Sequence, residues 1–307
     1  TQGLQIAGAA GDDGNPPTVA EYEAAFPVFD PEVDLFNLMV LPPTGDPALV
    51  LPDVYRPASV FCQQRRAFLI MDPANEWTTA QQAGTGVAAL RIGLVKDYSA
   101  IYFPRLQIVE DGRRHFVGPS GAMAGVMARI DASRGVWKAP AGLEADIRGV
   151  SGVEYPLSDP ENGVHNPRAI NTIRQCPTGV VSWGARTNDG DNDAGSEWKY
   201  TPIRRLPLYI EESLYRGLKW VVFEPNDVPL WAQIRLNVGA FMHGLFRQGA
   251  FQGQTKSEAF FVKCDAETTP QSDRDLGIVN IWVGFAPLKP AEFVVLYLQQ
   301  IAGQIEA

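Results

Sequence analysis

The strongest constraint on this chain is an alternation of short apolar runs with longer segments of helical spacing, punctuated by glycine and proline, up to Gly135. Residues 4–9 are apolar and lead into the Gly- and Pro-rich stretch 11–17, after which Thr18 is placed to cap a helix running through Phe26. Residues 35–41, 67–71 and 99–103 read as buried strands. Residues 46–64 and 78–94 read as helices between them, the first interrupted by Pro52 and Pro57. Residues 106–109 and 115–117 flank Asp111-Gly112, a hairpin signal. Met123, Val126, Met127 and Ile130 then recur at helical spacing between Pro119 and Arg134, and Gly135 supplies the stop. Apolar strands alternating with helices predict an open, largely parallel sheet with helices on both faces, an α/β fold.

Past Gly135 the texture changes. Residues 136–140 read as extended, 155–167 as turns and 179–183 as a strand, while the acidic run 188–197 reads as a linker or surface loop. A domain boundary is expected there, giving domains 1–187 and 188–307. Leu206, Ile210, Leu214 and Leu218 mark an amphipathic helix over 206–220, with Glu212 four residues before Arg216 in the favourable order. A second helix is expected over 229–247, capped by Asp227 or Asn226, with Leu230, Ile234, Val238, Phe241, Met242 and Leu245 on its apolar stripe. Strands are expected at 259–263, 278–285 and 292–298, the last apolar on both faces.

Charge narrows the function classes. The net charge is -9, and residues 1–60 hold nine acids against the single base Arg56. Without clustered Lys and Arg there is no footprint for a phosphate backbone, so nucleic acid is not an expected partner. The apolar runs fall far short of the ~20 residues of a membrane span. Cys62, Cys176 and Cys264 are far apart and form no CxxC pair, which suits reduced thiols in a cytosolic setting. The chain opens on Thr1 with no signal sequence and reads as a piece of a longer protein.

No motif for chemistry survives inspection. Gly84-Thr-Gly86-Val-Ala-Ala89 fits a dinucleotide pattern, but a helical segment precedes it where a strand is required. Gly118 to Gly125 resembles a phosphate cradle, yet Val126 and Met127 stand where lysine and a hydroxyl residue belong. Ser120 at a helix start could be a hydrolase nucleophile, but needs a histidine base. Only His115, His165 and His243 exist, none in a catalytic context, so a helix-capping hydroxyl is expected. Asp189, Asp191 and Asp193 have the opening spacing of a calcium loop, but Ala194 and Tyr200 occupy positions that demand glycine and glutamate. Neither cofactor nor metal is expected. The alternative reading is an α/β enzyme of hydrolase or nucleotide-binding type.

Several longer blocks carry a family resemblance: Gly135-Val-Trp-Lys-Ala-Pro140, Asn166-Pro-Arg-Ala-Ile-Asn171 with Ile173-Arg174, Trp183-Gly-Ala-Arg-Thr187, Tyr209-Ile-Glu-Glu-Ser213 and Trp220-Val-Val-Phe-Glu-Pro-Asn226. Leu230-Trp231, Arg247-Gln-Gly-Ala250, Ala259-Phe-Phe-Val-Lys-Cys-Asp265 and Ala286-Pro-Leu-Lys-Pro-Ala-Glu-Phe-Val294 continue the series. In order and spacing the chain resembles the tail sheath proteins of contractile phage tails and related injection machines. That resemblance implies a subtilisin-like α/β domain without a catalytic triad, then a smaller α+β domain facing the tail tube. It implies a non-enzymatic subunit of a helical homo-oligomer that contracts to drive the tube through the host envelope. The implied partners are other copies, the tail tube protein and baseplate proteins. The implied location is the virion tail sheath, with the host cytoplasm during assembly. It also implies a missing N-terminal arm. Strand exchange keeps subunits connected while they move, and the expected donated strand is Phe293, Val294, Val295, Leu296, Tyr297 and Leu298, set off by Pro287 and Pro290. Arg235 and Arg247 are the tube-facing candidates.

Overall fold

The computed structural model describes residues 14, 15, 17–41 and 51–293. The chain divides into two compact units, Thr1–Phe223 and Glu224–Ala307. Position 187/188 lies inside the first.

The first unit is built on a five-stranded sheet. Helix α1 (Val19–Glu32) leads to β1 (Leu38–Val40), α2 (Leu51–Gln64) to β2 (Phe68–Met71), and α3 (Ala80–Leu90) to β3 (Ser99–Phe103). The hairpin β4 (Leu106–Glu110) and β5 (Arg113–Val117) follows, then α4 (Ser120–Arg134), the short β6 (Gly152–Val153) and α5 (Asp159–His165). The chain returns through β7 (Ile170–Cys176) and β8 (Gly179–Ser182) before α6 (Thr201–Gly217). Strand order is β1-β2-β3-β7-β8, with β1, β2, β3 and β7 parallel and β8 antiparallel. A separate sheet has order β5-β4-β6.

The expected mixed α/β architecture is therefore present, with apolar side chains filling both faces of the sheet. On one face Tyr55, Phe61, Leu69, Met71, Val87 and Ile101 join the core. On the other, Phe68, Ile70 and Tyr102 meet Met123, Val126, Met127 and Ile130 of α4. The β2 run reads as wholly apolar because both its faces are covered.

Several boundaries differ from the sequence reading. Thr18 caps α1 in a capping box with Glu21, as expected, but the helix runs on through Pro27 and Pro31 to Glu32. Arg65 fastens its end, donating to Asp30 Oδ1 at 2.7 Å and to the Val33 and Asp34 carbonyls. The hairpin turn forms at Asp111 and Gly112, both at positive φ, as two-residue hairpins of matching twist require. α6 starts at Thr201, earlier than expected, and its Arg216 meets Glu212 at 2.6 Å. Strand β7 and helix α5 lie where the sequence pattern assigns no strand and turns, respectively.

The second unit contains α7 (Val228–Arg247), α8 (Lys256–Ala259), β9 (Phe260–Lys263), α9 (Gln271–Asp275) and β10 (Trp282–Phe285). β9 and β10 form an antiparallel pair. β10 is shorter than the expected 278–285, and residues 278–281 form no strand. The α7 stripe is buried as expected at Leu230, Ile234, Val238, Met242 and Leu245. Asp227 is the N-cap residue by position, but its carboxylate accepts from Arg274 at 3.0 Å rather than from the helix.

Candidate functional site

Ser120 sits where a strand end and a helix start converge, the place a nucleophile would use. β2 delivers Asp72 to that point, and its carboxylate accepts from the Ser120 amide through Oδ1 and from the Ser120 hydroxyl through Oδ2, both at 2.7 Å. Asp72 is 4% exposed and Ser120 3%. Asp72 thus caps α4 from outside the helix, and Ser120 makes no cap of its own: the N-cap position is Pro119, whose side chain carries no hydrogen-bonding group. The expected capping hydroxyl is corrected accordingly. Burial raises the Asp72 pKa above the ordinary carboxylate range, while the two bonds from Ser120 pull against it. Gly118 is required here because a Cβ would come within 2.3 Å of the Asp72 carboxyl.

Among the described residues no histidine hydrogen-bonds Ser120 or Asp72. His115 and His243 are exposed. His165 is buried beside the Phe103 ring, with neither ring nitrogen bonded. A serine whose proton is held by a buried carboxylate, with no imidazole to take it, lacks the arrangement of a hydrolase nucleophile.

The other motifs are also absorbed by packing. Gly84 and Gly86 lie inside α3, beyond the helix start that a pyrophosphate would need, and a Cβ on Gly86 would fall 2.4 Å from the Trp77 ring. Asp189, Asp191 and Asp193 border a polar hub. Asn171 of β7 donates through Nδ2 to the Ile101 and Arg186 carbonyls at 3.0 and 2.8 Å, and its Oδ1 accepts from the Arg186 amide at 2.7 Å. The Arg186 guanidinium donates to the Gly190 carbonyl and to Asn192 at 3.0 and 2.9 Å. Arg91 donates to Asn188 and to the Ala169 carbonyl, and its guanidinium lies 3.8 Å from Asp191. Burial pulls the Arg91 pKa down to about 10 although Asp191 and Asp189 draw it the other way. Residues 184–188 and 190 are buried, and the loop tip at 192–195 is exposed. Among the described residues no group of three His, Cys, Asp or Glu side chains could hold a metal ion. No described helix is long and apolar enough to cross a membrane.

In the second unit Arg235 donates to the Cys264 carbonyl, tying α7 to the end of β9, while Arg247 is exposed in the last turn of α7. Neither β9 nor β10 has a second neighbour among the described residues. Phe261 and Trp282 are more than half exposed. Gly284 lies opposite Phe261, whose ring would stand 2.2 Å from a Cβ there. Phe293 is exposed and outside any strand, and Val294, Val295, Leu296, Tyr297 and Leu298 lie outside the described residues.

The sequence reading missed Asp72 as the partner of Ser120, and the available signal was an acid closing an apolar strand together with Gly-Pro-Ser opening a helix. It missed the hub because Asn171 and Arg186 belong to segments whose relation only folding reveals.

Buried polar groups that lock loops and helix ends together, followed by a unit with a two-stranded sheet, describe a mixed α/β protein. Residues 193–301 match the family model for the phage tail sheath C-terminal domain. The chain is similar to the helical sheath of the anti-feeding prophage in its contracted state, with 30% identity, 94% of this chain and 76% of that one covered, and a TM-score of 0.77. It is similar to a chain of the anti-feeding prophage baseplate structure at 31% identity, covering 91% and 72%, with a TM-score of 0.76. The sheath tail protein of Desulfitobacterium hafniense shares the fold at 12% identity, covering 83% and 55%, with a TM-score of 0.59. No curated protein matches. The chain belongs to the contractile tail sheath family, and its role is that of a sheath structural protein.

Proposed function

We propose that this chain is the repeating subunit of a contractile sheath that polymerises helically around a tail tube, meets a baseplate at one end, and contracts to drive the tube through an envelope. The observation that carries this reading is the 30% identity over 94% of the chain to a helical sheath captured contracted. The particle is either a phage tail, making the sheath part of a virion assembled in the host cytoplasm, or a phage-like injection system. No catalytic step is part of the reading. Contraction would draw on interface free energy released as subunits repack between two arrangements.

The domain division 1–187 and 188–307 belongs to the same proposal. It is supported by the C-terminal family model beginning at residue 193, although α6 packs within the unit that ends at Phe223. So does the subtilisin-like character of the first domain, with Ser120 at the nucleophile position. The segment Phe293, Val294, Val295, Leu296, Tyr297 and Leu298 would be the strand donated to a neighbour, and the β9–β10 pair offers edges able to receive one. Arg247, exposed on α7, is the better tube-facing candidate. Arg235 already spends its guanidinium on Cys264.

Negative-stain electron microscopy of the full-length protein, alone and co-expressed with a tube protein, tests the reading. Hollow striated tubes are the expected result. Monomers under both conditions would count decisively against it.

A further inference from the structure

Among the described residues, the first unit carries two unpartnered features with apolar side chains on opposite faces of its sheet. One is a groove of about 510 Å³ between α1 and β1, lined by Tyr22, Ala25, Phe26, Phe29, Phe36 and Phe61 among others. Glu21 is the one charged residue among its described lining. Glu21, Ala25, Val28 and Glu32 share one row of α1, since residues four, seven and eleven positions on return to the same side of a helix. Val28 is 64% exposed, and Glu32 has no ion pair among the described residues. The groove therefore has an acidic rim. At its floor β1 has no neighbour on its outer side among the described residues.

The other feature is the β4–β5 hairpin, whose root residues Leu106 and Val117 pack on the opposite face of the sheet from Phe26 and Phe36. In its register Val109 faces Arg114 and Gln107 faces Phe116, so these four side chains share one surface of the ribbon. Val109 and Phe116 are 56% and 50% exposed. Arg114 is the one charged side chain of these four, and among the described residues it forms no ion pair.

A ribbon face that exposes Val109 and Phe116 beside Gln107 and one cation, Arg114, matches an apolar groove with an acidic rim, and no single copy can bring the two together. We propose that the Val109–Arg114–Phe116 face of one copy docks in the α1–β1 groove of a second copy, with Arg114 against Glu21 and Glu32. Such a contact joins different patches on the two partners, and a head-to-tail contact that fails to close on itself builds a helical filament. The inference deepens the sheath reading by naming one of its subunit interfaces, and it rests on that reading.

The test mixes two full-length single variants, Val28→Cys and Val109→Cys, under mild oxidation. The mixed disulfide dimer is expected in about tenfold excess over either homodimer. Adding Arg114→Glu to the second variant should lower its yield about fivefold, and Glu32→Lys in the first should restore it. The pair Phe29→Cys and Phe116→Cys repeats the measurement with sulfurs placed inside the groove. Mixed dimers absent from both pairs, no more frequent than homodimers, or indifferent to the charge exchange would overturn the proposal. Tubes without the mixed disulfide would overturn this contact and leave the sheath reading standing. The mixed disulfide without tubes would do the reverse.

Discussion

Replacing Asp72 by alanine removes both acceptors from the start of α4 at once. The Ser120 amide and hydroxyl each donate to it at 2.7 Å from positions almost sealed from water. Leaving a buried donor unsatisfied costs about 1–3 kcal/mol, and the two together, less the relief of a desolvated carboxylate, come to about 3 kcal/mol. Asp72→Asn keeps an acceptor for the amide and offers an NH2 to the hydroxyl oxygen, so its loss should stay within about 1 kcal/mol. pH separates the two further. Burial raises the folded-state pKa of Asp72, so the folded chain binds this proton more tightly than the unfolded one. Stability therefore falls as pH rises from about 4, the unfolded value, through the folded one, and Asp72→Asn abolishes that fall. Urea midpoints at unchanged slope, followed through tryptophan fluorescence over a pH series, read both effects. Gly118→Ala, which drives a Cβ into the same carboxyl, should lose stability in parallel. An alanine variant as stable as the parent, or an asparagine variant as damaged as alanine, would refute the reasoning.

Other outcomes follow from the same geometry. A serine-directed fluorophosphonate should leave Ser120 unlabelled in the native chain, because its hydroxyl is buried and held by a carboxylate; stoichiometric labelling would revive the hydrolase alternative. Asn171→Ala strands the Arg186 amide and two carbonyls, and should cost about 2–4 kcal/mol in urea denaturation of the first unit. His165 has its pKa lowered, first by burial and then by Arg168, with Glu161 opposing. Its stabilising contribution is thus complete above the unfolded value of about 6.5 and is lost as pH falls below it. His165→Phe should flatten the melting temperature between about pH 7 and pH 5. Brief iodoacetamide treatment should modify Cys176 alone, since Cys62 is buried with its thiol pushed up to about 12 and Cys264 is buried with its pKa raised. Alkylation of Cys62 in the folded chain, read by mass spectrometry, would contradict this.

What the sequence discloses here depends on how far apart the deciding partners lie. β2 and β3 are legible because β2 is apolar throughout, β3 is apolar or aromatic after Ser99, and both are buried along their whole length, a property visible in a window of five residues. α4 is legible because its buried side chains repeat at the helical period. β7 is not, since it begins buried at Ile170–Ile173 and ends partly exposed at Arg174–Cys176, with a buried asparagine at its second position. Asn171 belongs in a core only once Ile101 and Arg186 have arrived to satisfy it, and Gly184 must be a glycine because a Cβ there would fall 2.7 Å from the Asn171 Cα.

That geometry gives a physical content to the family blocks. Asn166-Pro-Arg-Ala-Ile-Asn171 and Trp183-Gly-Ala-Arg-Thr187 are separate in the sequence, yet in the fold they are one structure: the amide of one is saturated by the backbone of the other. Arg91 reaches the same place from α3 through Asn188 and the Ala169 carbonyl. Low dielectric makes each member expensive to leave unpaired, so a change in one block is felt in the others. The buried hydrogen-bonded network spanning the end of α3, β7 and the loop before α6 fixes these segments to one another. The two blocks thus form one rigid part of the first unit, and under the proposed sheath reading its contacts with other copies are to be sought on its surface, at the α1 groove and the β4–β5 hairpin.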